Sequence, residues 1–314
     1  MRLLFIAADM HRGGAERQWA TLIPALARRG AETRLLCLND EGPLFDEVRA
    51  AGVPASCLHL GGRTDALALR PHQQGLTRLV ASRVDRVIAV SEAQVEPLGR
   101  RGYRRERIVV VPNGLFDSDV AVRARREDTR RSLGLGERDF AVVCVANLRV
   151  EKGVRAFIEA VEAARRQVPG LRGLLAGDGP EREALEALTA GGEDVRLLGS
   201  RGDVPDLLAA CDAFCLLSEA EALPMSILEA MALGLPVVTT NVGGTAEAVA
   251  HAETGLVVAP RDTGAAAAAL ARLAAQPEWA RQLGEHGRER RRARFGGEAM
   301  VDGYERALAE VASR

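Results

Sequence analysis

Short apolar runs alternate with longer amphipathic stretches along this chain, and the alternation starts twice. Leu3–Ala8, Thr33–Leu38, Ala55–Leu60, Val87–Val90 and Ile108–Val111 have the length and aliphatic content of strands. Glu16–Arg29 and Pro43–Ala51 lie between the first three, carry helical spacing, and stop at Gly30 and Gly52. An Arg-rich stretch over 123–133 interrupts the pattern. It then resumes with Ala141–Val145, Leu171–Ala176, Val195–Leu198, Ala213–Leu217, Pro236–Thr239 and Gly255–Val258. This order predicts an α/β fold whose parallel sheets are covered on both faces by helices. The restart near residue 120 points to two Rossmann-like units and disfavours the alternative, a single (β/α)8 barrel. The expected division is 1–119 and 120–297, with a closing helix at Glu298–Val311 and the tail 298–314 packing back on the first unit.

Composition narrows the function classes. A length of 314 residues suits two domains of about 150 each. Net charge is -1 and aromatics make up 4%, which leaves neither a basic field nor a stacking surface for nucleic acid. The five cysteines are odd in number, form no Cys-x-x-Cys pair and lack a His cluster, so no disulfide framework or zinc site is expected. That usage fits a reducing compartment. No run nears the ~18 apolar residues of a membrane span. Met1–Asp9 reads as a buried first strand rather than a leader, and a cytoplasmic location is expected.

Two charge features stand out. Of 42 basic residues only Lys152 is a lysine. Exposed Lys and Arg exchange freely, so a lone lysine points to a place where a compact ammonium is needed; chance retention is the alternative. The charge is also uneven: residues 1–126 carry +6 and residues 127–314 carry -7. The basic density peaks at Arg100, Arg101, Arg104, Arg105 and Arg107. Such a face suits an anionic partner, for instance a membrane surface or a phosphorylated substrate; a solvated helix end is the alternative.

Five segments follow strands, where α/β sheets bind ligands. Asp9–Glu16 holds Gly13 and Gly14, which let backbone approach an anion ahead of a helix N-terminus; a plain tight turn is the alternative. It is not a dinucleotide fingerprint. Ala146–Gly153 brings Asn147, Arg149 and Lys152 onto one short loop, and its two cations suit a diphosphate. Ser218–Gly234 places Glu221 in a loop, opens a helix at Pro224, and sets Glu229 in its early turns. The backbone N–H groups of Leu223, Met225 and Ser226, on either side of Pro224, lie at the positive end of that helix. Glu229 has the reach to accept two hydrogen bonds from vicinal ribose hydroxyls. Gly177-Asp178-Gly179 and Asn241–Glu247 are further strand-end turns. Ordinary loop and helix chemistry remains an alternative for each.

Taken together, these segments resemble the retaining, nucleotide-sugar-dependent family-4 glycosyltransferases of the GT-B fold. The most specific element is the Glu-seven residues-Glu spacing of Glu221 and Glu229, followed by Ala230–Ala232 and Gly234–Val238. Gly13–Arg17, Pro112–Gly114, Arg149 to Gly153, Gly177–Gly179 and Gly243-Gly244 with Glu247 fall in the expected order. The resemblance implies two Rossmann-like domains facing a cleft, with donor on the second and acceptor on the first. It implies Glu221 and Lys152 as catalytic residues, and Arg149 is expected to join them as the cation that replaces the family's Arg, from a different position. Gly13, Gly14, Asn147, Gly177, Asp178, Leu223, Pro224, Met225, Ser226 and Glu229 would contact the donor. No metal and no cofactor are implied; the substrate is a nucleoside-diphosphate sugar such as a UDP- or GDP-sugar. The expected partners are that donor, a glycan or lipid-linked acceptor, and an anionic membrane met peripherally by the basic first domain. The alternative function is a non-catalytic nucleotide-sugar-binding protein.

Three departures from the family pattern are visible. Asn147 stands where the family commonly has Arg. Ala222 replaces a usual Gly, so a positive φ there would cost energy. The first domain also lacks a strand ending in a His segment and the elements after it, about 50–60 residues by the size of βαβ units. The gap falls near residue 70, and His72 does not match the missing His in context.

Overall fold

The computed structural model describes residues 1–11, 13–59, 81, 84–190, 192 and 194–313. They form two compact units, Met1–Gly114 with Gly297–Arg314, and Leu115–Gly296.

In the first unit, β1 (Arg2–Asp9), β2 (Glu32–Asp40) and β3 (Ala55–Cys57) form a parallel sheet in that order. β4 (Val87–Ala89) and β5 (Ile108–Val110) form a separate parallel pair. Helix Gly14–Arg28 packs one face of the larger sheet, with Ile23, Leu35, Cys37, Phe45 and Val48 in a common core. The expected gap near residue 70 lies outside the described residues.

β1 corrects one expectation. It is a strand, but only Ala7 is buried; Leu4 and Ile6 are 59% and 51% exposed. Side chains alternate along a strand, so Phe5 and Ala7 meet the core while Leu4 and Ile6 share the opposite face. An apolar run alone does not distinguish one covered face from two.

The closing helix, Gly297–Ala312, returns to this unit. Arg29, just past the first helix, pairs with Glu298, Asp302 and Glu305 on successive turns of it. Residues spaced by three or four share one helix face, which explains how one guanidinium reaches all three. Those carboxylates raise the Arg29 pKa, the Asp302 hydrogen bond most strongly.

The second unit holds six parallel strands: β6 (Phe140–Val145), β7 (Leu171–Ala176), β8 (Val195–Gly199), β9 (Ala213–Leu216), β10 (Val237–Thr240) and β11 (Gly255–Val258). Their order is β11-β10-β9-β6-β7-β8. The sheet runs outward from β6 one way through β7 and β8, and the other way through β9 to β11. This is the doubly wound order, and its reversal point lies between β6 and β9, where such sheets open a crevice at their carboxyl ends. The central strands are near-continuous apolar runs buried on both faces, as parallel sheets require.

The Arg-rich stretch braces this unit. Arg126 and Arg130 both bind the Asp212 carboxylate, at 2.6 and 3.1 Å, and donate to the carbonyls of Ala209, Cys211 and Ala210. Asp212 also accepts from the Ala141 N–H, so the start of β6 is tied to the same carboxylate.

Candidate functional site

The loops that leave β6 and β9 meet across the reversal point of the second sheet. After β6, Val150–Lys152 forms a single 3-10 turn that ends at Gly153 in the left-handed conformation, φ 61°. The helix Val154–Arg165 begins immediately. After β9, Leu217 and Ser218 complete the buried run, and helix Met225–Ala232 starts behind Pro224. Glu219 N–H donates to the Glu151 carbonyl at 2.8 Å, joining the two loops directly.

This juxtaposition places Lys152 Nζ 2.7 Å from Glu221 Oε1. The pair is sheltered: the Glu221 side chain is 6% exposed and that of Lys152 25%. The same Oε1 accepts from Ser218 Oγ at 2.7 Å. Below them, Cys144 on β6 is fully buried. Burial pushes its thiol up to about 12, against the opposing pull of Lys152.

Glycines set how closely the loops approach. A side chain on Gly153 would put Cβ 1.9 Å from the Leu217 carbonyl oxygen. One on Gly243, φ +50°, would put Cβ 1.7 Å from the Glu221 carbonyl oxygen. Gly244 N–H then donates to Ala222 O at 2.8 Å. The Asn241–Glu247 turn is therefore a buttress of the Glu221 loop. Gly177 and Gly179 likewise press on the carbonyls of Ala146 and Leu148. The absence of Cβ allows these contacts, and Gly153, Gly177, Gly179 and Gly243 all sit at positive φ, which side chains rarely adopt.

The remaining sequence candidates are placed as follows. Arg149 is 61% exposed and lies 3.9 Å from Glu151, so its guanidinium turns to solvent while Lys152 turns to Glu221. Asn147 is exposed and its carbonyl accepts from the Arg149 N–H. The Asp178 carboxylate accepts from the Gly179 N–H at 2.8 Å and from Arg182 at 3.1 Å, as a turn-capping residue does. Leu223, Pro224 and Met225 are buried and Ser226 half-buried at the start of the Met225–Ala232 helix. No side chain caps that helix. The N–H groups of a helix's first turn have no partner within it, and the dipole makes this end electropositive. Glu229 lies one turn in and is 1% exposed. Ala222 is not among the positive-φ residues, so the anticipated backbone cost does not arise.

Gly13 and Gly14 belong to the other unit. Gly13 precedes helix Gly14–Arg28, and a Cβ on it would lie 2.1 Å from Glu16 Oε2. The Glu16 carboxylate thus occupies the space beside Gly13, and a phosphate approaching there meets a like charge. Gly14 faces open space.

Sequence reasoning missed Ser218 and the brace by Arg126 and Arg130. No group of three or more potential metal ligands occurs among the described residues. No helix of the described residues is long and apolar enough to cross a membrane.

Comparison with known proteins bears on this site. Residues 125–290 match the family described as glycosyl transferases group 1, and residues 67–114 match a glycosyl transferase 4-like domain. The chain is 30% identical over 244 residues to the N-acetyl-alpha-D-glucosaminyl L-malate synthase of Bacillus anthracis, spanning 77% of this chain and 64% of that protein. It is 30% identical over 337 aligned positions to the lipopolysaccharide core biosynthesis glycosyltransferase LpsE of Rhizobium meliloti, 95% of this chain and 96% of that one. In fold it is similar to Anabaena Alr3699/HepE, solved in complex with UDP and glucose. The TM-score is 0.86 at 19% identity, over 99% of this chain and 100% of that one. The α/β class and GT-B fold expected from the sequence agree with these likenesses.

Proposed function

Because the chain belongs to the group 1 glycosyl transferases, we propose that it moves a sugar from a nucleoside-diphosphate sugar to a glycan or glycolipid acceptor, with retention of configuration. The observation that carries this reading is the Lys152–Glu221 pair at the sheet's reversal point, four residues before an uncapped helix that bears the buried Glu229. The donor diphosphate takes the Lys152 ammonium and the first-turn N–H groups of Met225–Ala232. Fixed charge and dipole then stabilise the leaving group, the role a divalent metal fills elsewhere. The bond from the sugar carbon to the diphosphate oxygen breaks. The acceptor oxygen bonds to the same face through an oxocarbenium-like state, and its proton passes to the departing diphosphate. Glu221 accepts from a hydroxyl of the donor sugar, and Glu229 from the ribose.

Support for the acceptor class comes from relatives whose names refer to lipopolysaccharide core and to phosphatidylinositol mannoside. The Anabaena neighbour's complex with UDP supports a nucleotide donor. Arg100, Arg101, Arg104 and Arg105 are exposed on the first unit and suit an anionic membrane face. Arg107 instead donates to the Val84 carbonyl at 2.7 Å.

A second reading, donor binding without transfer, is favoured by one observation. The alignment with the Rhizobium protein runs over 337 positions against 314 residues in this chain, so that relative holds residues with no counterpart here. A panel of nucleotide sugars tests both. Thermal stabilisation by one donor identifies the ligand, since binding raises apparent stability by mass action. Mass spectrometry of acceptor mixtures with that donor then separates transfer from binding alone. No stabilisation by any nucleotide sugar would contradict both readings.

A further inference from the structure

One side chain at the site has no role in the reading above. Ser218 is fully buried at the end of the β9 run. Its Oγ donates to Glu221 Oε1 at 2.7 Å, the same oxygen that accepts from Lys152 Nζ at 2.7 Å. Ser218 is itself held in place. Its carbonyl accepts from Thr240 Oγ1 at 2.5 Å, and the Leu216 carbonyl accepts from Thr239 Oγ1 at 2.9 Å. Two buried threonines of β10 thus lock the strand end that carries the serine. Glu221, almost wholly enclosed, is oriented by one donor two residues past β9, tied down by β10, and another on a flexible stem.

The two donors differ in what a donor substrate does to them. An ammonium has three rotatable N–H groups, and a diphosphate draws it away from the carboxylate. When that happens, Lys152 stops orienting Glu221, and the incoming negative charge repels the carboxylate. A neutral hydroxyl on backbone anchored to β10 has no such reason to leave. Resting on the glycosyltransferase reading, we propose that Ser218 is a positioning residue for Glu221. Its hydroxyl keeps hold of Oε1 once Lys152 has turned to the diphosphate, and so presents Oε2 to a hydroxyl of the donor sugar. The function of Ser218 therefore appears when sugar and diphosphate are both bound, and not when bare nucleotide is bound.

The test uses the full chain with Ser218→Ala and Ser218→Thr, and the donor found by the nucleotide-sugar panel. Affinity for the bare nucleoside diphosphate is measured by calorimetry, and kcat and KM by product formation. Loss of a hydrogen bond to a charged group predicts a kcat lower by about ten- to a hundredfold in Ser218→Ala, with diphosphate affinity within about twofold of the parent. Ser218→Thr, which keeps the hydroxyl, restores most of the lost turnover. Should the alanine variant not fold, Ser218→Cys replaces it, since a thiol of similar size is a weak donor. An unchanged kcat in the variant lacking the hydroxyl overturns the proposal. Equal losses in diphosphate affinity and kcat overturn it too, because they mark a structural residue. A parent protein that binds no nucleoside diphosphate and transfers no sugar contradicts the functional reading itself, and the proposal falls with it.

Discussion

Lys152 Nζ and Glu221 Oε1 lie 2.7 Å apart although 69 residues separate them in the chain. The contact exists because β6 and β9 are neighbours in a sheet whose order reverses between them. The chain's single lysine is thus spent on a sheltered acid at the crevice of the sheet. A preorganised charge at a developing phosphate is worth about 3 kcal/mol in the transition state. Lys152→Ala is expected to lower turnover by roughly 10²–10³-fold without unfolding the protein. Lys152→Arg is not expected to restore it, since a planar guanidinium does not reproduce a compact point charge beside the enclosed Glu221 carboxylate. Steady-state rates with circular dichroism check both expectations.

Glu229 is buried in the second turn of the Met225–Ala232 helix. A carboxylate that receives both ribose hydroxyls discriminates against donors that lack one of them. Glu229→Ala should weaken nucleotide binding more than it slows bound donor, and should erase the preference for ribose over deoxyribose. Calorimetry with paired nucleotides reads this directly; an unchanged preference would leave Glu229 as a helix residue only.

Gly243 tests whether the Glu221 loop is held from behind. Gly243→Ala adds a Cβ at a positive φ, 1.7 Å from a backbone oxygen that cannot move aside cheaply. The variant should lose about 2 kcal/mol or more of stability, a fall of roughly 4–8 °C in Tm for a unit of this size. Donor affinity should fall with it, because the displaced carbonyl belongs to Glu221. Gly202→Ala, in the same unit, where an added Cβ would meet nothing within 4 Å and φ is not positive, is the matched control.

Thiol chemistry offers a check on the core. Burial raises Cys37 to about 11 and Cys144 and Cys211 to about 12, and lifts Cys215 well above its ordinary value. A raised thiol pKa means the neutral, unreactive form persists at pH 8. Iodoacetamide at that pH should label the half-buried Cys57 first, with the other four reacting only in denaturant. Peptide mass spectrometry reports the order.

Positive charge supplied by Lys152 and a helix end predicts transfer that persists in excess chelator. Activity lost to EDTA and restored by magnesium or manganese would contradict that assignment.

Much of this was legible from residue patterns, and the failures have physical causes. The strand runs of the second unit stood out because parallel strands buried on two faces must be apolar throughout. Glu221, Glu229 and Lys152 stood out by type and spacing. Their pairing did not, because a contact across 69 residues depends on strand order, which periodicity does not encode. Arg149 was grouped with Lys152 by proximity in the chain, yet a single 3-10 turn sends the two side chains different ways. Gly177, Gly179 and Gly243 were legible only as strand-end turns; that they let neighbouring backbone approach closely is visible in the structure alone. Ser218 carried no signal at all, since one serine after a strand matches no pattern. The open face of Leu4 and Ile6 was hidden because an apolar run looks the same whether one face is covered or two.

The central claim is that the reversal point of the second sheet holds a nucleoside diphosphate through Lys152. Calorimetric titration of UDP, GDP, ADP and dTDP into the parent chain and into Lys152→Ala tests it most directly. The account predicts saturable binding of at least one of them to the parent, weakened about tenfold or more in the variant. Binding of equal strength to both proteins, or of none of the four to the parent, would contradict it.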